Sequence, residues 1–291
     1  MSTQFLEQLF NGVVNGCIYA LVAVGLTLIY GILGIINVAH GELFMLGAFI
    51  AYFVYVKTGS YLLAVAAAIV GTAIAGLLME RLVFRPLHVQ PRINSLIASV
   101  GISLVLANMA LVLWGGEPRF YKTPLANELV HAGSMSFSAQ RVLVIAAAIA
   151  VIAGMTLFLQ RTRVGKALRA CAQDLEACSL TGIEVKWVIA FAFALGGALA
   201  GLAGALLSPL LVMTPDMGLL AVLKAFAVVV VGGFGNIPGT IIAGLLMGIA
   251  ESLGGAFVSA TYQDSIVFII LTLALLIRPT GLVRERLEEN I

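Results

Sequence analysis

Nine apolar runs, at residues 9–30, 42–56, 61–79, 95–114, 142–159, 187–207, 218–231, 239–253 and 265–277, take up most of the chain and decide which solvent it can fold in. Segments of this kind suit lipid, where crossing the hydrocarbon core as a helix takes about 20 residues. Inside lipid each backbone N–H and C=O has to find its partner within the chain, so such runs become helices. Composition agrees, since 61% of residues are hydrophobic and only 10% charged, against roughly a quarter charged in water-soluble domains. The expected fold is an all-α polytopic membrane protein of about eight to nine transmembrane helices. It forms one domain over residues 1–291, with no room for a soluble one.

The net charge of +2 says little, whereas the positions of the cations say a good deal. Arg81, Arg85 and Arg92 form one group, Arg161, Arg163, Lys166, Arg169 and Lys186 a second, and Arg278, Arg284 and Arg286 a third. Lys and Arg collect in cytoplasmic loops, which puts all three groups inside and the loop at residues 115–141 outside. With nine spans the N-terminus is periplasmic and the C-terminus cytoplasmic. No Lys or Arg precedes the first run, so it lacks the basic start of a cleaved signal and reads as a retained span.

Residues 160–186 are the one long polar passage that also has helical spacing. Leu168, Cys171, Leu175 and Cys178 share a stripe, and Arg169, Gln173, Asp174 and Glu176 lie on the opposite arc. Gly182 suits the left-handed turn that ends such a helix. The expectation is an amphipathic handle lying on the ends of two spans, either an ordinary solvated helix or a knob for a soluble partner. With no histidine nearby, Cys171 and Cys178, like Cys17 in the first run, read as small apolar fillers and not as metal ligands or a disulfide.

Two stretches interrupt the spans. Residues 31–42 read GILGIINVAHGE and residues 232–239 read GGFGNIPG, each glycine-rich with one asparagine, Asn37 or Asn236. Interrupted helices at matching positions of an inverted repeat mark translocation sites, which would place Asn37, His40, Gly41, Glu42, Asn236 and Gly239 on a path. Two tight cytoplasmic turns fit the same residues. Glu42 fits the start of a helix, where its carboxylate meets the dipole, and His40 fits a path or a structural hydrogen bond. Lys224, inside an apolar run, is expected to snorkel outward, Glu251 and Asp264 to bracket an external turn, and Glu80 to join an interfacial charge cluster. The dense glycines, with Gly196, Gly197, Gly201 and Gly204 in one run, are packing residues for helices in lipid.

Enzyme signatures are missing. The sequence has no G-x-x-x-x-G-K-[ST] loop, no H-E-x-x-H and no paired Cys-x-x-Cys, and its histidines are scattered, so no metal or catalytic constellation is expected. A secondary transporter would bury several ionisable groups for ion coupling, whereas these spans look nearly charge-free.

Specific motifs go further. Glu176-Ala177-Cys178, followed three residues later by Gly182, resembles the E-A-A-x-x-x-G loop of ABC-importer permeases, with Cys178 replacing the second alanine. Residues 37–42 (NVAHGE), Glu80-Arg81 with Arg85-Pro86-Leu87, residues 96–101 (LIASVG), and Arg278-Pro279 with Gly281-Leu282 add to it. Together they resemble the LivH-type permease of branched-chain amino acid ABC importers over essentially the full length, and the longer LivM type fits less well.

The resemblance implies a type II-like permease in the bacterial inner membrane. It implies as partners a LivM-type second permease, two cytoplasmic ABC ATPases and a periplasmic binding protein, and no nucleic acid. ATP and magnesium would sit in the ATPases, with no cofactor in this chain. It also implies a coupling role for Arg169, Gln173, Asp174, Glu176, Ala177 and Gly182. The cargo is expected to be Leu, Ile or Val, although the family includes importers of urea, short amides and other amino acids.

Overall fold

The computed structural model describes residues 2–87, 90–132, 135–278 and 281, with the backbone alone given for residues 2, 3, 131, 132, 135 and 136. His88, the side chain of His131, Pro279, Leu282 and the tail with Arg284 and Arg286 lie outside the described residues. All nine apolar runs are helices: α1 (Ser2–Leu33), α2 (His40–Thr58), α3 (Tyr61–Met79), α4 (Arg92–Trp114), α5 (Ala139–Arg161), then the handle helices α6 (Arg163–Gln173) and α7 (Leu175–Leu180), followed by α8 (Val185–Leu207), α9 (Met217–Gly232), α10 (Ile237–Phe257) and α11 (Gln263–Ile277). Seven of the nine are long and apolar enough to cross a membrane, and α9 and α11 are shorter. The loop after α4 is not purely irregular, because β1 (Leu129–Ala132) and β2 (Met135–Ser138) pair as an antiparallel hairpin with Leu129 opposite Ser138.

Helix contacts reveal an internal repeat. α1 packs on α10, α8 and α9, while α8 packs on α3, α1 and α2. Exchanging α1 with α8, α2 with α9 and α3 with α10 turns each of these contacts into another of the set, and also carries the contact of α9 with α10 into that of α2 with α3. The repeat is inverted, because α1 ends beside the handle, where Gly31 meets Ala172, and α8 begins there.

One expectation changes with this pairing. The break after α1 corresponds to the link at residues 208–216 between α8 and α9, and the break at 233–236 corresponds to the tight turn at 59–60. The two glycine-rich stretches are therefore not equivalent positions. They read alike because each ends one helix and starts another.

The interior is sealed by small residues. α1 and α10 run antiparallel, and a Cβ on Gly12 would lie 2.6 Å from the Cα of Ile249. The glycines of α8 do the same work, Gly196 against Gly25, Gly197 against Thr72 and Gly204 against Phe44. Where backbones touch in this way, helices associate through dispersion without any hydrophobic drive from water.

At the end opposite the handle the loop is tied down. Arg119 and Met213 form a two-way backbone bridge, and Tyr121 hydrogen-bonds Ser208 at 2.8 Å. Burial pushes the Tyr121 hydroxyl up to about 12, with the Ser208 hydrogen bond opposing the shift. At the handle end α3 continues through a π-helical segment, Glu80–Phe84. There Glu80 joins the expected charge cluster: its side chain is buried, and its carboxylate receives Nε and Nη2 of Arg85 at 3.0 and 2.9 Å.

Candidate functional site

The handle is two helices, not one. Thr162 caps α6 by accepting Gly165 N–H at 2.9 Å. At Asp174 the backbone becomes extended, φ −156° and ψ 114°, and the Asp174 carboxylate accepts the N–H groups of Glu176 and Ala177 at 2.8 and 3.0 Å. Asp174 therefore caps α7, a role worth about 0.5–2 kcal/mol. The expected stripe survives the bend: Leu168, Cys171 and Cys178 are buried and Leu175 is half-buried, while Arg169, Gln173, Asp174, Glu176 and Ala177 are exposed. The handle rests on α1, α5 and α8. Gly182 adopts φ +80° just past α7 with no atom near its missing Cβ, so conformation and not space selects glycine there.

The cysteines correct the sequence reading. Cys171 and Cys178 are joined by a disulfide, with Cα atoms 5.2 Å apart, because the bend at Asp174 folds α7 back and brings the buried faces of both helices together.

Sequence periodicity also gives no sign of the apolar side chains at the handle's edge. Leu180 is 88% exposed, and Trp187 at the start of α8 is also exposed.

The breaks are shorter than expected, 34–39 in place of 31–42 and 233–236 in place of 232–239. α1 stops at Leu33, Gly34 takes φ +62°, and α2 already begins at His40, so Gly41 and Glu42 are helical. Likewise Asn236 caps α10 by accepting Gly239 N–H at 2.8 Å, and Gly239 lies in the first turn. His40 Nε2 pairs with the carbonyl of Val22, in the middle of α1, at 3.2 Å. The chain has thus doubled back along α1 by roughly 16 Å, and α2 starts against the interior of its neighbour.

Around this start the polar groups are sealed within the chain. Asn37, His40 and Glu42 are each 1% exposed or less. Ser103 donates to Glu42 Oε1 at 2.9 Å, whereas Glu42 Oε2, His40 Nδ1 and both amide atoms of Asn37 have no hydrogen-bond partner among the described residues. Glu42 lies at the N-termini of both α2 and α9, since it also abuts Gly218. Two positive helix ends there receive one carboxylate supplied by the chain itself.

The structure brings part of the two expected sites together. Arg169 and Gln173 from α6 and Asn236 from the turn before α10 line one cavity of about 350 Å³. Asn37, His40, Gly41 and Glu42 lie elsewhere, among α1, α2, α4 and α9.

A family model described as "branched-chain amino acid transport system / permease component" matches residues 8–276. The chain is 40% identical to the high-affinity branched-chain amino acid transport system permease protein LivH of Escherichia coli (strain K12), over 99% of this chain and 98% of that protein. It is 38% identical to BraD of Pseudomonas aeruginosa, described in the same terms, over equal shares. The chain belongs to the branched-chain amino acid permease family. A more distant likeness, 28% over 94% of this chain and 85% of the other, is to the ribose import permease protein RbsC of Escherichia coli (strain K12). No solved structure matched the chain.

As a member of that permease family the chain is a membrane-spanning transport subunit, yet its spans are not as free of charge as the sequence suggests. Lys224 does not snorkel. Its Nζ donates to Glu251 Oε1 at 2.8 Å, Asp264 Oδ1 at 2.6 Å and the Tyr19 hydroxyl at 3.1 Å. Tyr19 in turn donates to Glu251 Oε2 at 2.7 Å, and Gln263 donates to Glu251 Oε1 at 3.2 Å. This network ties α1, α9, α10 and α11 together. Its members are far apart in sequence, so the only sequence signal was the rule that lone charges of opposite sign inside spans find one another.

Proposed function

We propose that this chain is one of two permease subunits of an ATP-driven importer in the bacterial inner membrane. It forms half of the path for Leu, Ile or Val delivered by a periplasmic binding protein. Its partners are a LivM-type permease and two cytoplasmic ATPases, which hold the ATP and magnesium. The handle faces the cytoplasm with the C-terminus, and the hairpin loop and N-terminus face the periplasm.

The observation that carries this reading is the handle's two-sidedness. Its inner face is buried on α1, α5 and α8, and its outer face offers polar groups around the exposed Leu180. A solvated helix gains nothing from presenting a leucine to water, whereas an apolar anchor ringed by polar groups is what a docking surface uses. Pushing on the handle would move α6 against the 233–236 turn through the cavity that Arg169, Gln173 and Asn236 share. From there motion reaches α9 and α10, and so the pair of facing helix starts at Gly41 and Gly218. Alternating access would consist of these repeats rocking apart, exposing Asn37, His40 and Glu42 in turn.

Substitution at the handle tests this. Gly182→Val forces a β-branched residue into a left-handed turn, at about 1–2 kcal/mol or more, and redirects α7. Binding-protein-stimulated ATP hydrolysis by the reconstituted importer should then fall to the basal rate, and pull-down of the ATPases should weaken. Glu176→Gln, a rim charge, should keep most of the stimulation. Normal stimulation and pull-down with Gly182→Val would leave the handle an ordinary surface helix.

A further inference from the structure

A cavity lined by several charged groups lies at the opposite end from the handle. It measures about 580 Å³, and its polar lining includes Asn15, Tyr19, Arg141, Lys224, Glu251 and Asp264. Its position follows from α5, which reaches the handle at Arg161 and carries Arg141 in its first turn, roughly 30 Å away along the helix.

The charges divide into a closed set and an open one. Lys224 spends its protons on Tyr19, Glu251 and Asp264, and both oxygens of Glu251 are taken by Tyr19, Lys224 and Gln263. That set is complete without a ligand. Arg141 is different: Nη1 donates to Asn11 Oδ1 at 2.5 Å, and among the described residues the guanidinium makes no ion pair. Asp264 uses one oxygen on Lys224, and its side chain is 54% exposed. One unpaired cation with a planar fork and one carboxylate with a spare oxygen thus face the same cavity. A guanidinium fork suits a two-oxygen anion, and a carboxylate oxygen suits an ammonium group.

We infer that this cavity binds a zwitterion bearing a primary ammonium and an oxyanion, the oxyanion on Arg141 and the ammonium on Asp264. Its volume is within the usual range for small-ligand sites, about 300–1,000 Å³. Two sources share this chemistry: an amino acid entering from the periplasm, which rests on the function proposed above, and the headgroup of phosphatidylethanolamine.

Two probes separate the sources. In the first, radiolabelled leucine is bound to the whole importer, without binding protein, in phosphatidylglycerol nanodiscs. In the second, native mass spectrometry counts phosphatidylethanolamine retained by the same complex from mixed lipid. Arg141→Gln and Asp264→Asn should each weaken the bound probe about tenfold or more, and Arg141→Lys should recover part of the loss. Arg141 is outside the Lys224 network, and Lys224 keeps Glu251 and Tyr19 when Asp264 is changed, so both variants should fold. Leucine answering to the variants assigns the site to cargo, and lipid answering assigns it to the bilayer. If neither probe binds, or binding ignores both variants, the inference is overturned. Handle-dependent ATP hydrolysis, read on the same preparations, would be unaffected by that failure and so keeps the two proposals separate.

Discussion

Gly41→Leu should yield almost no folded protein, measured as the monodisperse fraction recovered in mild detergent. A Cβ at this position would overlap the carbonyl oxygen of Gly218 and lie 2.8 Å from Cβ of Val222, and a backbone atom cannot swing aside as a side-chain tip can. Overpacking ordinarily costs about 1–3 kcal/mol, but here the first atom added already separates α2 from α9 where the inverted repeats meet. Gly101→Leu is the control, because nothing lies within 4 Å of a Cβ there, and it should be recovered normally. Equal recovery of both variants would mean that the two helix starts do not touch.

Lys224→Met should lower stability by about 3–5 kcal/mol, the usual consequence of removing one member of a buried ion pair. The reason is what remains: Glu251, 1% exposed, would keep a charge with only Tyr19 and Gln263 donating to it. Adding Glu251→Gln to Lys224→Met removes that orphaned charge and should restore more than half of the loss. Asp264→Asn should matter little to stability, since its side chain is half in solvent. Thermal unfolding in one fixed detergent reads all four proteins, and an unshifted midpoint for Lys224→Met would deny the network.

Local features were legible in the sequence, and features made by distant contacts were not. The apolar runs located every spanning helix because length and hydropathy suffice to demand one. The exposed arc of the handle and the turn at Gly182 followed from helical spacing and from glycine's freedom. The bend at Asp174 was missed although its signal was present, since an aspartate inside an apparent helix is as good a cap as a surface residue. The Lys224 network and the Cys171–Cys178 bond depend on how helices fold back on one another, and a one-dimensional pattern does not record that. The matching of the two breaks failed for the same reason: equivalence within an inverted repeat is set by contacts, and the glycine-rich stretches share only the chemistry of ending a helix.

Docking of a cytoplasmic ATPase on the handle can be read from a photoreactive residue in place of Leu180 within the complete importer in cells. Irradiation should give an adduct whose mass is that of this chain plus the ATPase, while the same residue in place of Phe120, in the loop at the other end and 48% exposed, should give none. An ATPase adduct from position 120, or none from position 180 in an importer that still hydrolyses ATP on demand, would mean that the ATPase does not dock on the handle.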